Sequence, residues 1–268
     1  MMTRYYIGLL LTAAVMCTSC EKELDFHYHD VEPQLVIEGN LTADGARVAL
    51  TSTTPMDEAM NRHKITDASV RLTDMTAGTT VSLSPDADGV FTDALGGIEG
   101  HEYRLDVSAG GRSYSSVSTM GPSTDILALE FRWIKMPYDY VALLQVTFTD
   151  SPGVDDCYWV RLYRNGEAYL WSVLDDCHAV NGLIHEVIMT SRKDVDEEDD
   201  NMVLRDGDVV TVSVTAVSRE MFDYLVALQS DSNGPRMFAG DFCLGYFLAS
   251  PVDRSDIVYH PDQMEEVE

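Results

Sequence analysis

The chain has few basic residues and no long hydrophobic run. It contains 18 Lys and Arg residues against 45 Asp and Glu residues, which gives a formal net charge of −27 at pH 7. Such an acidic protein does not bind nucleic acid or anionic lipid nonspecifically. The apolar run at residues 7–16 is much shorter than the roughly 20 residues that a membrane-spanning helix needs. We therefore predict no nucleic-acid partner and no membrane span from this run.

The sequence also lacks the motifs of common catalytic and metal sites. It has no G-x-S-x-G, no H-E-x-x-H, no phosphate-binding loop and no zinc-type cysteine spacing. Cys177 and His178 are adjacent, but neighbours in a strand point to opposite faces and do not form a nucleophile–base pair. We therefore predict that the protein is not an enzyme and holds no cofactor or metal.

Cysteine is scarce, with five in 268 residues. Two of them belong to the first 20 residues, which leaves Cys157, Cys177 and Cys243. Three cysteines allow at most one intrachain disulfide, and export would permit it. We predict a bridge between Cys177 and Cys243, with Cys157 buried as a small apolar residue.

The first 20 residues have the pattern of a bacterial secretory leader. Arg4 precedes the apolar run at 7–16, and small residues then lead to Cys20. This pattern predicts a signal peptide over 1–19, cleavage before Cys20 and lipidation of Cys20, which anchors the chain in a membrane. A plain signal peptide is the alternative, because the position three residues before Cys20 is not the usual Leu. Cleavage would remove one basic residue and no acidic one, so the net charge would go from −27 to −28.

The chain after the leader is predicted to form two domains. Residues 20–33 form a polar tether, and residues 34–120 alternate polar and apolar positions between glycine turns, which is typical of a β-sandwich. Residues 121–250 are also rich in strands and favour a second sandwich. The last residues, 251–268, are acidic and are predicted to be a tail. The predicted fold class is all-β, with two transthyretin-like or immunoglobulin-like sandwiches.

Two local signals stand out in the second predicted sandwich. Asn165 and Gly166 between two apolar runs predict a tight β-hairpin. Residues 219–229 change to helical periodicity, and Ser218 precedes them as a capping residue. The residues predicted to share the apolar face of this helix are Met221, Tyr224, Leu225 and Leu228.

Aromatic side chains are the main candidates for ligand binding in this sequence. Tyr158 and Trp159 must lie on opposite faces of their strand, so one of them is outside the sandwich core unless the second face is also covered. Exposed aromatics bind sugars, peptides or partner surfaces. The residues predicted to face a small ligand of unknown identity are Tyr138, Tyr140, Trp159 and Trp171. The alternative is packing in the core and between the domains.

Three other groups have the composition of metal sites. His27 and His29 would point to the same side of an extended segment, and His63 follows two methionines. The acidic run at 194–200 could supply oxygen ligands to calcium, although Asp199 stands where an EF-hand loop has glycine. In each case the preferred interpretation is a solvated segment that binds no metal.

The order of several segments resembles one protein family. These segments are LVIEGNLT, DASVRLTD, GHEYRLDVSAGGRSYSSVSTM, VTFTDSPGVDDCYW, VTVSVTAVSREMFDYLVAL and LGYFLAS. In this order they resemble the domain-of-unknown-function 4249 (DUF4249) family of Bacteroidetes outer-membrane lipoproteins. Residues 21–25 also resemble the surface-export signal of lipoproteins from these bacteria.

The resemblance implies a location and a role. The location is the outer membrane, with the protein exposed at the cell surface through its lipid anchor. The role is that of a noncatalytic accessory to a TonB-dependent transporter in nutrient binding or uptake, since genes of this family commonly lie beside those of TonB-dependent receptors. The alternative is a fimbrial or adhesive subunit, because fimbrial lipoproteins of these bacteria also consist of two sandwich domains.

Overall fold

The chain folds almost entirely into β-strands, as the alternating sequence pattern predicts. The computed structural model describes residues 32–54, 63–137, 139–150, 156–175, 179–193 and 202–267. These residues contain eighteen strands and one α-helix. The predicted all-β class with one late helix is confirmed.

The strands form two sandwiches. The first contains β1 (Leu35–Thr42), β2 (Gly45–Ser52), β3 (His63–Lys64), β4 (Ala68–Asp74), β5 (Thr79–Pro85), β6 (Phe91–Asp93), β7 (Glu102–Ala109), β8 (Arg112–Thr119), β15 (Ala239–Gly240) and β16 (Leu244–Ala249). The second contains β9 (Ile126–Lys135), β10 (Tyr140–Thr149), β11 (Cys157–Arg164), β12 (Glu167–Asp175), β13 (Leu183–Arg192), β14 (Val209–Val217), β17 (Asp253–Val258) and β18 (Glu265–Val267).

The first sandwich is one continuous sheet that folds over its own core. Its strands follow the order β15-β8-β7-β4-β5-β6-β2-β1-β16, and β3 pairs with β2. The two ends of this order, β15 and β16, come from one short segment late in the chain. β16 runs parallel to β1, with Val36 opposite Leu244. This segment therefore pairs with both β1 and β8, the two ends of the sheet formed by the first 120 residues.

The second sandwich consists of two four-stranded sheets. Their orders are β13-β10-β9-β18 and β12-β11-β14-β17. The apolar faces of the two sheets enclose a core that includes Leu144, Phe148, Tyr158 and Val212. Phe148 and Tyr158 meet edge to face across this core, with ring centroids 5.0 Å apart.

The predicted boundaries of the second domain differ from the structure at the C-terminal end. Residues 239–249 leave that domain and pair with the first sandwich. The assignment of 251–268 as a tail is wrong over two stretches, because β17 pairs with β14 and β18 pairs with β9. The physical reason is that β14 and β9 would otherwise expose rows of unpaired backbone groups, which a strand of any composition can satisfy.

The α-helix spans Arg219–Gln229, as predicted. The Ser218 hydroxyl caps it by accepting a hydrogen bond from the Met221 amide at 3.2 Å. Met221 and Leu225 are buried, whereas Leu228 is 51% exposed, so the apolar face is narrower than predicted. Within the described residues, no helix has the length and apolarity needed to cross a bilayer.

A third apolar cluster joins the two sandwiches. It contains Cys157 and Trp159 of the second sandwich, Met221 and Leu225 of the helix, and Tyr246 and Leu248 of the first sandwich, together with Val217. This shared cluster explains why residues 33–268 form one compact unit rather than two independent domains.

Candidate functional site

Trp159 is buried, not exposed as a binding platform. Its side chain is 9% exposed, and its ring meets Trp171 and Tyr246 edge to face at centroid distances of 6.2 and 5.8 Å. The Arg161 guanidinium lies 4.3 Å above the same ring. The second face of β11 is thus covered by the helix and by β16, so the alternative of packing between the domains holds for Trp159.

Trp171 is the more accessible member of this group. It is 36% exposed. Together with Trp159, Arg161 and Tyr163, it lines a small hollow of about 200 Å³ on the β11–β12 hairpin. Three buried polar atoms on this face, Trp159 Nε1, Arg161 Nε and Ser213 Oγ, have no hydrogen-bond partner in the described part of the chain.

The four predicted aromatics do not form one face. Tyr140 lies on β10, in the other sheet of the second sandwich, and the Lys193 ammonium lies 4.9 Å from its ring centroid. Lys193 also forms an ion pair with Glu266 of β18 at 2.7 Å. Tyr138 lies outside the described residues. Of the described members of this set, Trp159 and Trp171 share one hollow, and Tyr140 lies away from it on the other sheet.

Other predicted positions fall largely outside the described residues. These are Cys20, His27, His29, Cys177, His178 and the acidic run 194–200. His63 is described and lies exposed on the two-residue strand β3. No group of three or more metal-binding side chains occurs among the residues with described positions.

Cys243 is a buried free thiol in the described part of the chain, and Cys177, its predicted disulfide partner, lies outside the described residues. Burial raises the pKa of the Cys243 thiol to about 11, with a smaller opposing effect of Arg236. The thiol therefore stays protonated at neutral pH and behaves as the small apolar residue that the sequence suggested for Cys157.

A cleft lies between the two sandwiches, and it was not predicted from the sequence. Its volume is about 610 Å³. One wall is residues 115–119 of β8, and the opposite walls are the ends of β14 and β16 and the start of the helix. No local pattern could have predicted it, because its walls come from segments that are far apart in sequence, such as residues 115–119 and 247–249.

The wall formed by β8 is an open strand edge. The Met120 amide donates to the His101 carbonyl at 2.9 Å, so by alternation along the antiparallel pair Val117 and Thr119 direct their backbone groups away from β7. β15 covers only Tyr114 and Ser115 on that side. Within the described residues, no backbone hydrogen bond joins Val117 or Thr119 on the cleft side.

The lining of the cleft combines hydroxyl, carboxylate and apolar groups. Ser115, Ser116 and Ser118 supply hydroxyls. The ionisable side chains of the lining are Asp156 and Glu220, both acidic. The cleft thus offers backbone hydrogen-bonding groups, an apolar wall and negative charge.

Comparisons with known proteins identify a family and two distant structural likenesses. A family model described as "Domain of unknown function (DUF4249)" matches residues 21–255. No curated protein matches the chain. The chain is similar to a DUF4785 family protein of Legionella pneumophila, with 14% identity, a TM-score of 0.26 and coverage of 67% of this chain and 52% of that one, so it spans about half of that protein. It is also similar to a two-domain fibronectin type-III segment of chicken tenascin, with 11% identity, a TM-score of 0.24 and coverage of 85% and 100%.

Proposed function

Since the chain belongs to the DUF4249 family, whose description records no function, we propose its function from the leader and the cleft. We propose that it is a noncatalytic lipoprotein of Bacteroidetes, held at the surface of the outer membrane by lipid on Cys20. There it assists a TonB-dependent transporter in the binding or uptake of a nutrient.

The observation that carries this proposal is the cleft of about 610 Å³ between the sandwiches. Its volume falls within the range of ordinary small-ligand sites, roughly 300–1,000 Å³. Its lining supplies hydroxyls, two carboxylates and apolar side chains but no His, Lys or Cys, which supports a role in holding a ligand over one in cleaving it. A protein that binds a nutrient and releases it to a transporter needs only such noncovalent binding groups.

The tether fits the same role. Residues 20–33, even if fully extended, reach at most about 50 Å. A lipid anchor at Cys20 would therefore keep the cleft close to a transporter in the same membrane. The acidic composition, with a net charge of −27, keeps such a protein soluble above the membrane and away from anionic lipid headgroups.

The test is fractionation of cells that express the full-length protein, together with two matched cysteine variants. We expect Cys20→Ser to release the protein from the membrane fraction and to abolish its co-purification with a TonB-dependent transporter from solubilised outer membranes. Cys17→Ser removes the neighbouring leader cysteine and should leave both unchanged. Protease added to intact cells should also cut this protein, because we propose that it is exposed at the cell surface.

Two results would overturn the proposal. One is a Cys20→Ser protein that remains in the membrane with its leader attached. The other is a wild-type protein that purifies without any transporter. Ladders of covalent or detergent-resistant polymer in the same preparations would favour the fimbrial or adhesive alternative.

A further inference from the structure

We propose that the cleft between the sandwiches binds an extended peptide, which adds as a strand to the open edge of β8 and places a basic side chain near Asp156 and Glu220. This inference deepens the proposed function by naming the class of its ligand, and it rests on that function for its biological role. Peptide binding by the purified protein can be measured whether or not the protein assists a transporter.

The open edge has the spacing of a strand-addition site. Val117 and Thr119 are two residues apart, so each directs one N–H and one C=O to the same side. Together they offer two donors and two acceptors, which match a peptide of about four residues in extended conformation. A rigid ligand with fewer backbone-like groups would leave some of these unpaired.

The protein's own chain does not fill this edge. If β15 continued in register, Met237 would lie opposite Val117 and Pro235 opposite Thr119. Pro235 has no N–H to donate to the Thr119 carbonyl, and the strand begins only at Ala239. Met237 instead packs into the cluster between the sandwiches and lines the cleft. Residues 235–238 therefore leave the edge at Val117 and Thr119 unpaired, although β15 pairs with the adjacent Ser115.

An open edge on a flat surface would promote aggregation, but this one lies inside a concave cleft. The helix start and the end of β16 line the same cleft, so this edge is less accessible to a second folded sheet than an edge on a flat surface. Val117 is 51% exposed here, and with Met221 and Leu248 it provides an apolar wall for the side chains of the bound segment.

The charge of the cleft selects the peptide. Asp156 and Glu220 are its ionisable lining residues, and the whole chain carries a net charge of −27. A peptide with lysine or arginine is attracted by both, whereas an acidic peptide is repelled. The structure thus favours a basic or neutral extended peptide over an acidic one.

The test uses the purified full-length protein and three synthetic hexapeptides in titration calorimetry. The first alternates valine and threonine with one central lysine, the second carries glutamate in place of the lysine, and the third is the lysine peptide with alternate amides N-methylated. We expect the first peptide to bind and the second to bind about two- to five-fold more weakly. The third should not bind, because its methylated amides cannot donate hydrogen bonds to the strand edge.

Variants locate the binding on β8. Val117→Pro removes the outward N–H and should abolish binding, whereas Val117→Ala keeps the amide and loses only part of the apolar wall, so it should weaken binding without abolishing it. Glu220→Gln should weaken the binding of the lysine peptide by about two- to five-fold and strengthen that of the glutamate peptide, because one of the two repelling charges is gone. Glu167→Gln, at the exposed first residue of β12, is the matched charge control and should have no effect.

The outcomes separate this inference from the proposed function. Equal binding of the lysine and N-methylated peptides, or no binding of any peptide at millimolar concentration, overturns strand addition even if the transporter co-purifies. Peptide binding by a protein that never associates with a transporter supports strand addition and overturns the accessory role. If Val117→Pro fails to fold, the N-methylated peptide still decides the question.

Discussion

Tyr246 and Phe247 are adjacent on β16, yet their side chains are buried in different apolar clusters. Phe247 packs in the core of the first sandwich. Tyr246 packs in the cluster between the sandwiches, against Trp159 and Tyr224. Alternation along one strand therefore couples the interior of one sandwich to the surface of the other.

Substitution of these two neighbours should give different unfolding behaviour. Phe247→Ala removes a buried ring from the first core and should lower the free energy of unfolding by about 3–5 kcal/mol. Tyr246→Ala should instead separate the unfolding of the two sandwiches, because it removes their aromatic contact. Calorimetry should show two thermal transitions for Tyr246→Ala. A single two-state transition would contradict the coupling role.

Gly245→Ala should break the parallel pairing of β16 with β1. Gly245 has a φ of +102°, and a Cβ there would collide with the Ile37 carbonyl oxygen. Positive φ and the backbone clash should together cost at least about 1–2 kcal/mol. Gly121→Ala is the control, since its Cβ would meet no atom within 4 Å. Equal stability of the two variants by urea denaturation would refute this account.

Ser218→Ala should weaken the helix that covers Trp159. Loss of the hydroxyl leaves the Met221 amide without its cap and should cost about 1 kcal/mol. Ser232→Ala removes an exposed hydroxyl beyond the other end of the helix and should change stability by less than about 0.5 kcal/mol. Chemical denaturation of both variants, followed by tryptophan fluorescence, measures the difference.

Asp74 should make the stability depend on pH under acidic conditions. Burial alone would raise the pKa of its carboxyl, but hydrogen bonds from the His101 ring and the Ala77 amide outweigh burial and hold the pKa below its ordinary value of 3.8. A lowered pKa stabilises the fold above pH 3.8, and this contribution is lost as the pH falls below that value.

The Asp74 contribution can be isolated with an uncharged variant. Asp74→Asn should be less stable than wild type at pH 7, and the two melting temperatures should approach each other towards pH 3. Asp44→Asn, on the exposed β1–β2 turn, should follow wild type throughout. A constant gap between Asp74→Asn and wild type from pH 7 to pH 3 would rule out the ionic contribution.

Cys243 should react slowly in the folded protein. With a pKa of about 11 and a buried side chain, little of its thiol is ionised at pH 8, so alkylation by iodoacetamide should require unfolding. Mass mapping of a non-reduced digest should find Cys243 unpaired. A disulfide-linked Cys177–Cys243 peptide in that digest would confirm the bridge predicted from the sequence and contradict the unpaired state of Cys243.

Local features were predicted well because their determinants are local. Asn165 and Gly166 adopt φ values of 50° and 88°, as the tight turn of a hairpin requires. The helix begins after its capping serine and ends at Gln229 as its periodicity predicts. Such features depend on the conformational preferences of a few consecutive residues.

The site was predicted poorly because its determinants are distant in sequence. Trp159 looked like a binding residue, since the sequence does not show that the helix and β16 cover the second face of its strand. The open edge at Val117 could not be recognised, because it exists only where β15 stops pairing with β8.

The sequence by itself determined the strands, the turns and the helix, since alternation, positive-φ residues and capping act over short stretches. Only the tertiary structure decided that residues 239–249 complete the first sandwich, that β17 and β18 complete the second, and that a cleft lies between them. The physical reason is that an unpaired strand edge accepts backbone groups from any extended segment, so the choice of partner depends on which segment the folded chain brings there and leaves no local pattern in the residues.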